Sequence, residues 1–294
     1  MKGAHAYFSG SAGVRLHYRC WDVPSPRAVT MIAHGLGEHS GRYEELAQDL
    51  TRAGISAYAL DHRGHGRSDG RRGHVRRFSH YIHDFEKFRR RVVGSVGSAV
   101  PLIVLGHSLG GLIVARYLQE FPAVPVRGAI LSAPALGFAL DVPRWKAQMA
   151  RVLYYAVPAL PMSTGIDPEA LTHDRQVVEA YERDPLVHDR ITPRLYGELE
   201  TEIETVFERA GRLTLPILVL VPSDDRIARA DRMQSFASRI GDRRRVKVET
   251  FPGFYHEVLN EIGRASVVAD LLGWIERRIE TGVSAGGGGG GLAR

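Results

Sequence analysis

Apolar residues fall into two recurring patterns along this chain. Short unbroken apolar runs occupy Ala28–Ala33, Ile55–Leu60, Leu102–Leu105 and Ala129–Leu131. None alternates clearly in polarity, which suits strands covered on both faces, as in a parallel sheet. Between them, Tyr43–Ala53 (closed by Gly54), Phe78–Val93 and Leu109–Phe121 (closed by Pro122) repeat apolar residues at helical spacing. Strand and helix therefore alternate, the pattern of a doubly wound α/β sheet. One earlier segment differs. Val14–Asp22 alternates in polarity and then meets Pro24 and Pro26, which predicts an antiparallel leading strand ended by a turn.

The alternation stops after Pro134 and resumes at Pro216. There the pattern predicts a strand at Ile217–Val221, a helix at Asp231–Ile240, a strand at Val246–Thr250 and a closing helix from about Val258 to Glu280. Residues 1–134 and 211–282 thus form two parts of one mostly parallel core. Residues 135–210 are inserted as a helical cap, and 283–294, with glycines 286–291, form a flexible tail. The insertion begins with Trp145, Met149, Val152, Leu153, Ala156 and Val157 on one helix face, ended by Pro158 and Pro161. That face is too short for a membrane span and carries Lys146 and Arg151, so it is expected to be buried or interfacial. No internal repeat is visible.

Composition narrows the classes. At 294 residues, 44% of them hydrophobic and 24% charged, the chain is long and apolar enough for one large core, and general disorder is excluded. The first ten residues carry no apolar leader, so a cytoplasmic location is expected. The lone Cys20 excludes an internal disulfide framework and a cysteine-rich metal site, and is expected simply to pack. The net charge is +6, and with only Lys2, Lys87, Lys146 and Lys247 as lysines the basic residues are overwhelmingly arginine. Clusters such as Arg71-Arg72, Arg76-Arg77, Arg89-Arg90-Arg91 and Arg243-Arg244-Arg245 are expected to be solvated faces. No nucleic-acid partner is expected, because no recognition fold accompanies them. Transient contact of the cap face with an anionic membrane surface is a second expectation.

The chemistry-bearing segment is Gly106-His107-Ser108-Leu109-Gly110, set between a buried apolar run and a helical one. A strand, a sharp turn and a helix are the context in which Gly-x-Ser-x-Gly presents a strained serine above a sheet. The helix start supplies free N–H groups and a positive dipole end for an oxyanion. Serine needs a general base and an acid that orients it. After the strand Ile217–Val221 comes Pro222-Ser223-Asp224-Asp225, and after Val246–Thr250 comes Phe251-Pro252-Gly253-Phe254-Tyr255-His256. Both sit just past strand C-termini, where such sheets assemble their sites. His256 is the expected base. Asp224 and Asp225 compete as the acid, with spacing from the strand favouring Asp225. The turn His34-Gly35-Leu36-Gly37 is expected to supply the second oxyanion donor, pairing the N–H of Leu36 with that of Leu109. His62, His65, His80 and His83 lack a His-Glu-x-x-His pattern, and a serine triad needs no metal, so no metal or other cofactor is expected. The loop Asp61–Gly70 is expected to stiffen the floor of the site.

With these residues in place, the chain resembles the monoacylglycerol lipase and lysophospholipase branch of the serine α/β-hydrolase superfamily. The resemblance rests on His34-Gly-Leu-Gly-Glu-His-Ser-Gly-Arg-Tyr43, Asp61-His-Arg-Gly-His-Gly-Arg-Ser68, Gly106-His-Ser-Leu-Gly-Gly111 and Tyr181-x-x-Asp-Pro-Leu186. It covers nearly the whole chain. It implies the α/β-hydrolase fold, Asp225 as the acid, and Glu38, Arg42, His107 and Tyr181 around the polar head of a glycerol-like substrate. It also implies an apolar tunnel through the cap for an acyl chain, and hence hydrolysis of single-chain lipid esters. The same triad also serves general carboxylesterases and acyltransferases, and a non-catalytic binding homologue would keep the pocket alone.

Overall fold

The computed structural model describes residues 3–139, 149 and 152–283. From edge to edge the main sheet runs β1 (Ala4–Ser9), β2 (Arg15–Trp21), β4 (Ile55–Leu60), β3 (Ala28–Ala33), β5 (Leu102–His107), β6 (Gly128–Ser132), β9 (Ile217–Pro222) and β10 (Val246–Phe251). β1 and β2 pair antiparallel, as do β2 and β4; every pairing from β4 to β10 is parallel. The unbroken apolar runs follow from this placement. β3, β4, β5, β6 and β9 are buried along their whole lengths. Their side chains divide between two cores by the two-residue period of a strand: Met31 and Val219 face one, Ile32, Leu218 and Leu220 the other.

Helices cover both faces. The first core takes Phe85 from α2 (Ser79–Val96), Tyr117 from α3 (Leu109–Glu120), and, from later in the chain, Leu199 and Phe236. The second takes Leu46 and Leu50 from α1 (Glu44–Arg52), with Trp274 and Ile275 from the last helix. Between β6 and β9 the chain forms the short antiparallel pair β7 (Met162–Ser163) and β8 (Arg190–Ile191), then α4 (Arg175–Arg183) and α5 (Pro193–Glu208). Thr192 caps α5 by accepting the Leu195 N–H, with Pro193 at the first helical position. The remaining helices are α6 (Ala230–Arg239) and α7 (Arg264–Val283).

Three expectations are corrected. β1 was not anticipated from the sequence: as an edge strand it buries only one side in part, through Ala6 and Phe8. The closing helix does not start at Val258. Val258–Asn260 is a single 3-10 turn, and the Glu261 carboxylate then accepts the backbone N–H groups of Tyr255 and Ile262, which holds the chain off the helical path until Arg264. The apolar face foreseen in the insertion is split: Met149 and Leu153 line a cavity, whereas Val152 is 65% exposed. Trp145, Lys146, Arg151 and glycines 286–291 lie outside the described residues.

Two smaller expectations find a physical footing. Cys20 packs at the first core, and burial pushes its thiol up to about 11. Arg90, Arg244 and Arg245 are exposed and pair with Glu86 or Asp242, whereas Arg89, which also binds Glu86, is mostly covered and departs from the expected solvated face. No helix among the described residues is long and apolar enough to cross a membrane.

Two helical glycines should respond oppositely to the same change. A Cβ on exposed Gly94 in α2 meets nothing within 4 Å, whereas one on Gly110 in α3 would lie 2.0 Å from the Ala33 carbonyl oxygen. Gly94→Ala should therefore raise the Tm by about 2 °C, from roughly 1 kcal/mol of restored helix propensity. Gly110→Ala should lower the Tm by more than about 5 °C or prevent folding, since backbone must move. Thermal melts followed by circular dichroism check both, and a Gly110→Ala protein melting like the parent would contradict the packing described.

Candidate active site

β5 ends at His107 and α3 begins at Leu109, leaving Ser108 to make the whole turn. Its backbone sits at φ 51°, ψ −116°, a region that costs a non-glycine residue roughly 1–3 kcal/mol. Two close approaches enforce it. A Cβ on Gly106 would lie 2.2 Å from the Gly110 carbonyl oxygen, and one on Gly110 would strike β3. The Ser108 N–H donates to the Ser132 carbonyl at 3.0 Å, and its own carbonyl accepts from Ala135 N–H at 3.0 Å and from Gly111 at 2.9 Å. Although Ser108 stands at the N-cap of α3, its side chain makes no capping bond, so the hydroxyl is left for other work.

The two later strands deliver the other candidates. Asp225 follows β9; its Oδ1 accepts the Ile227 and Ala228 N–H groups, each at 2.8 Å. Its Oδ2 lies 2.7 Å from His256 Nδ1, which donates to it, leaving Nε2 free to accept a proton. Both side chains are buried. The competitor Asp224 is exposed and takes the Ser223 hydroxyl at 2.6 Å, so Asp225 is the carboxylate that meets the ring. Burial opposes ionisation of Asp225, but the His256 ring and the two N–H donors outweigh it and hold the carboxyl below its ordinary range. Burial also opposes charge on His256; Asp225, with Glu257 and Glu38 behind it, outweighs that and raises the ring above its ordinary value. Ser108 and His256 border one small pocket with Leu36, His107 and Tyr181. Among the described residues no Ser108–His256 hydrogen bond is formed, a contact that such sites commonly tighten only with substrate.

The turn after β3 faces the same pocket. Among the described residues neither the Leu36 nor the Leu109 N–H is taken by a protein acceptor, and both leucines line the apolar cavity beside Ser108. The turn is braced from below. His34 Nε2 accepts the His62 N–H at 2.9 Å, and the His34 ring packs at a tilt against the His62 and His65 rings. Asp61 gathers the loop that follows β4, accepting from Ser40 N–H at 2.7 Å, Arg67 N–H at 2.8 Å and His17 Nδ1 at 2.8 Å. His80 and His83 lie on α2 and take no part in this floor.

Of the residues implied around a polar head, Glu38, His107 and Tyr181 border the small pocket and Arg42 does not. Burial and the neighbouring His256 push His107 down to about 4, so its ring is uncharged near neutral pH. Tyr181 is pushed up to about 12 by burial, and the Arg42 guanidinium lies 4.7 Å from its ring centre. Asp184, in the same segment as Tyr181, binds His39 Nε2 at 2.8 Å and so ties α4 to the loop that follows the Leu36 turn. Glu257, missed from sequence, is buried beside Arg42; a carboxylate directly after the candidate base was the signal available.

The apolar cavity occupies about 340 Å³, at the lower end of ligand-site volumes. Leu36, Ser108 and Leu109 form its head, and Phe138, Met162, Ile191, Tyr196 and Leu199 are among its walls. None of these wall residues was foreseen, because they come from separate stretches of the insertion and none lies in a motif.

Comparison with known proteins follows the same lines. The family model described as "Serine aminopeptidase, S33" matches residues 24–263. A monoacylglycerol lipase of Mycolicibacterium smegmatis is 37% identical over 273 residues, covering 91% of this chain and 95% of the relative. The phospholipase YtpA of Bacillus subtilis is 28% identical over 248 residues, covering 84% of this chain and 94% of the relative. Among solved structures, the monoacylglycerol lipase of Paleococcus ferrophilus superposes with a TM-score of 0.78 at 30% identity, covering 95% of this chain and all of the other. An elbow that strains a serine, a buried Asp–His pair in the right chain order and a match to the S33 model over most of its length together make this chain a serine ester hydrolase of the α/β-hydrolase superfamily, in the branch that holds the monoacylglycerol lipases.

Proposed function

We propose that the chain hydrolyses single-chain lipid esters of the monoacylglycerol or lysophospholipid kind through Ser108, His256 and Asp225. The observation that carries this reading is the 2.7 Å His256–Asp225 bond beside a strained Ser108 at the head of a cavity of about 340 Å³ walled mainly by apolar side chains. Ser108 Oγ attacks the ester carbonyl while its proton passes to His256 Nε2. The developing oxyanion is received by the N–H groups of Leu36 and Leu109. Asp225 stabilises the imidazolium and keeps the ring in the tautomer that accepts at Nε2. Collapse of the tetrahedral intermediate breaks the ester C–O bond, and His256 gives its proton to the departing alcohol. Water then attacks the acyl carbonyl while giving a proton to His256; the second tetrahedral intermediate breaks its bond to Ser108 Oγ, His256 returns the proton to that oxygen, and the fatty acid leaves.

The acyl chain occupies the apolar cavity, and the alcohol leaves through the small polar pocket bordered by His107 and Tyr181. Residues 135–210 act as a cap over this cavity. Its surface residues Val152 and Tyr155, 65% and 79% exposed, are suited to brief contact with a lipid surface. The names of the relatives support the substrate class: monoacylglycerol lipase for the Mycolicibacterium protein, phospholipase for the Bacillus one.

Ser108→Ala should lower kcat on monoacylglycerols by about 10⁴-fold or more while the protein keeps its circular dichroism. Retained turnover would remove Ser108 from the mechanism. In a substrate panel, monoacylglycerols or lysophospholipids should give higher kcat/KM than triacylglycerols, and failure on every single-chain lipid ester would overturn the substrate assignment.

The pH profile offers a separate check. The reaction needs uncharged His256, so kcat/KM should fall as pH drops through the ring's pKa. Because the carboxylates around it raise that value, the midpoint should lie above that of an ordinary histidine. Asp225→Asn removes the principal stabilising charge and should move the acid limb to lower pH, with kcat down by about 10⁴-fold. An unmoved limb would mean that another group titrates.

A further inference from the structure

Three buried charged side chains lie between the oxyanion turn and the loop bearing His256, and the mechanism above uses none of them. Glu38 Oε1 accepts the Gly35 N–H at 2.5 Å and the Tyr43 hydroxyl at 2.9 Å, while Oε2 receives Arg42 Nη1 at 3.1 Å. The same guanidinium also reaches Glu257: Nη1 donates to Oε1, and Nη2 to Oε2 at 2.8 Å. Glu257 directly follows His256. Its Oε2 also accepts Asn260 Nδ2 at 2.9 Å, and its backbone N–H donates to the Leu171 carbonyl at 2.8 Å. Side-chain exposure is 9% for Arg42, 5% for Glu38 and 4% for Glu257.

Stability is a weak reason for such a triad. Taking charged groups out of water costs several kcal/mol per ion, and well-packed apolar replacements are often as stable. Geometry offers a better one. Arg42 reaches Glu257, 215 residues away in sequence, and its two carboxylates end on the two parts of the site that must face one carbonyl. Through Glu38 it holds the Gly35 N–H, and so the peptide leading into Leu36. Through Glu257 it holds the residue next to His256.

We propose that Arg42, Glu38 and Glu257 form a positioning clamp that fixes the oxyanion turn and the His256 loop at one separation. This rests on the mechanism proposed for Ser108, His256 and Asp225. It gives Glu38 and Arg42 a role different from the substrate-head contacts implied by the family resemblance: although Glu38 and Glu257 border the small pocket, the polar atoms of Glu38 and Arg42 meet each other, Tyr43, Gly35 and Glu257. The clamp also carries one net negative charge. Asp225, Glu257 and Glu38 act on the charge of His256, and the titratable His107 and Tyr181 border the same pocket, so removing the Glu257 charge should ease proton loss from the ring.

The test compares Glu257→Gln and Arg42→Lys with the parent on two substrates, p-nitrophenyl butyrate and a monoacylglycerol. Gln keeps the size of Glu and an acceptor for Arg42; Lys keeps the cation but loses the fork that joins two carboxylates. Both variants should lose about 10- to 100-fold in kcat on both substrates, with KM changed less than about threefold, as expected of misplaced catalytic groups. Glu257→Gln should also move the acid limb of kcat/KM to lower pH. p-Nitrophenyl butyrate has no glycerol, so a KM rise confined to the monoacylglycerol would assign these side chains to substrate binding and overturn the clamp. Parent-like kcat and pH profile in both variants would overturn it too. If Glu257→Gln does not fold, the Arg42→Lys kinetics decide. An inactive parent, or an active Ser108→Ala, would instead count against the underlying mechanism, and is distinguishable because neither involves the clamp variants.

Discussion

Between β5 and α3 the chain has one residue, Ser108, in which to reverse from sheet to helix, and steric closeness decides what surrounds it. Ser108 is held at φ 51°, ψ −116° because Gly106 and Gly110 let strand and helix come within distances that any Cβ would forbid. The strain is paid from the packing of β3, β5 and α3, which are buried along nearly their entire lengths. Once that turn is set, the rest of the site has fixed addresses. The parallel sheet brings the loops after β3, β9 and β10 to the same edge, and each contributes one element: the Leu36 turn, Asp225 and His256.

Desolvation shapes the polar half. Asp225 is buried yet ionised because it receives three donors, and His256 is raised only because that carboxylate outweighs the cost of burying its charge. The same balance holds for Glu38 and Glu257, where burial opposes charge and Arg42 outweighs it. On the other side of Ser108 the walls are mainly aliphatic and aromatic, with Ser163, Thr164 and Tyr196 the polar side chains among them. One serine thus stands between a buried charged region and a largely apolar cavity.

Legibility in the sequence followed the range of the interactions. β3, β4, β5, β6 and β9 were readable because burial on both faces makes each a compact apolar run. The placement of Ser108, Asp225 and His256 at one edge of the sheet was readable because each follows a recognisable strand. β1 was not: Ala4, Ala6 and Phe8 give too weak an alternation for an edge strand. The start of α7 was misplaced because Val258 and Leu259 carry helical spacing, whereas the Glu261 carboxylate, which stops the helix there, acts through backbone contacts invisible in a pattern. Glu257 and the cavity walls were missed for a related reason. Their meaning lies in partners 215 residues away, or in side chains converging from separate loops.

The most direct measurement is covalent labelling. The purified protein is treated with a fluorophosphonate, which reacts with a serine only where a base and an oxyanion hole activate it, and the adduct is located by peptide mass spectrometry. The account predicts stoichiometric modification of the peptide containing Ser108, suppressed when a monoacylglycerol occupies the site. An unmodified Ser108, or a label carried by a different serine, would contradict it.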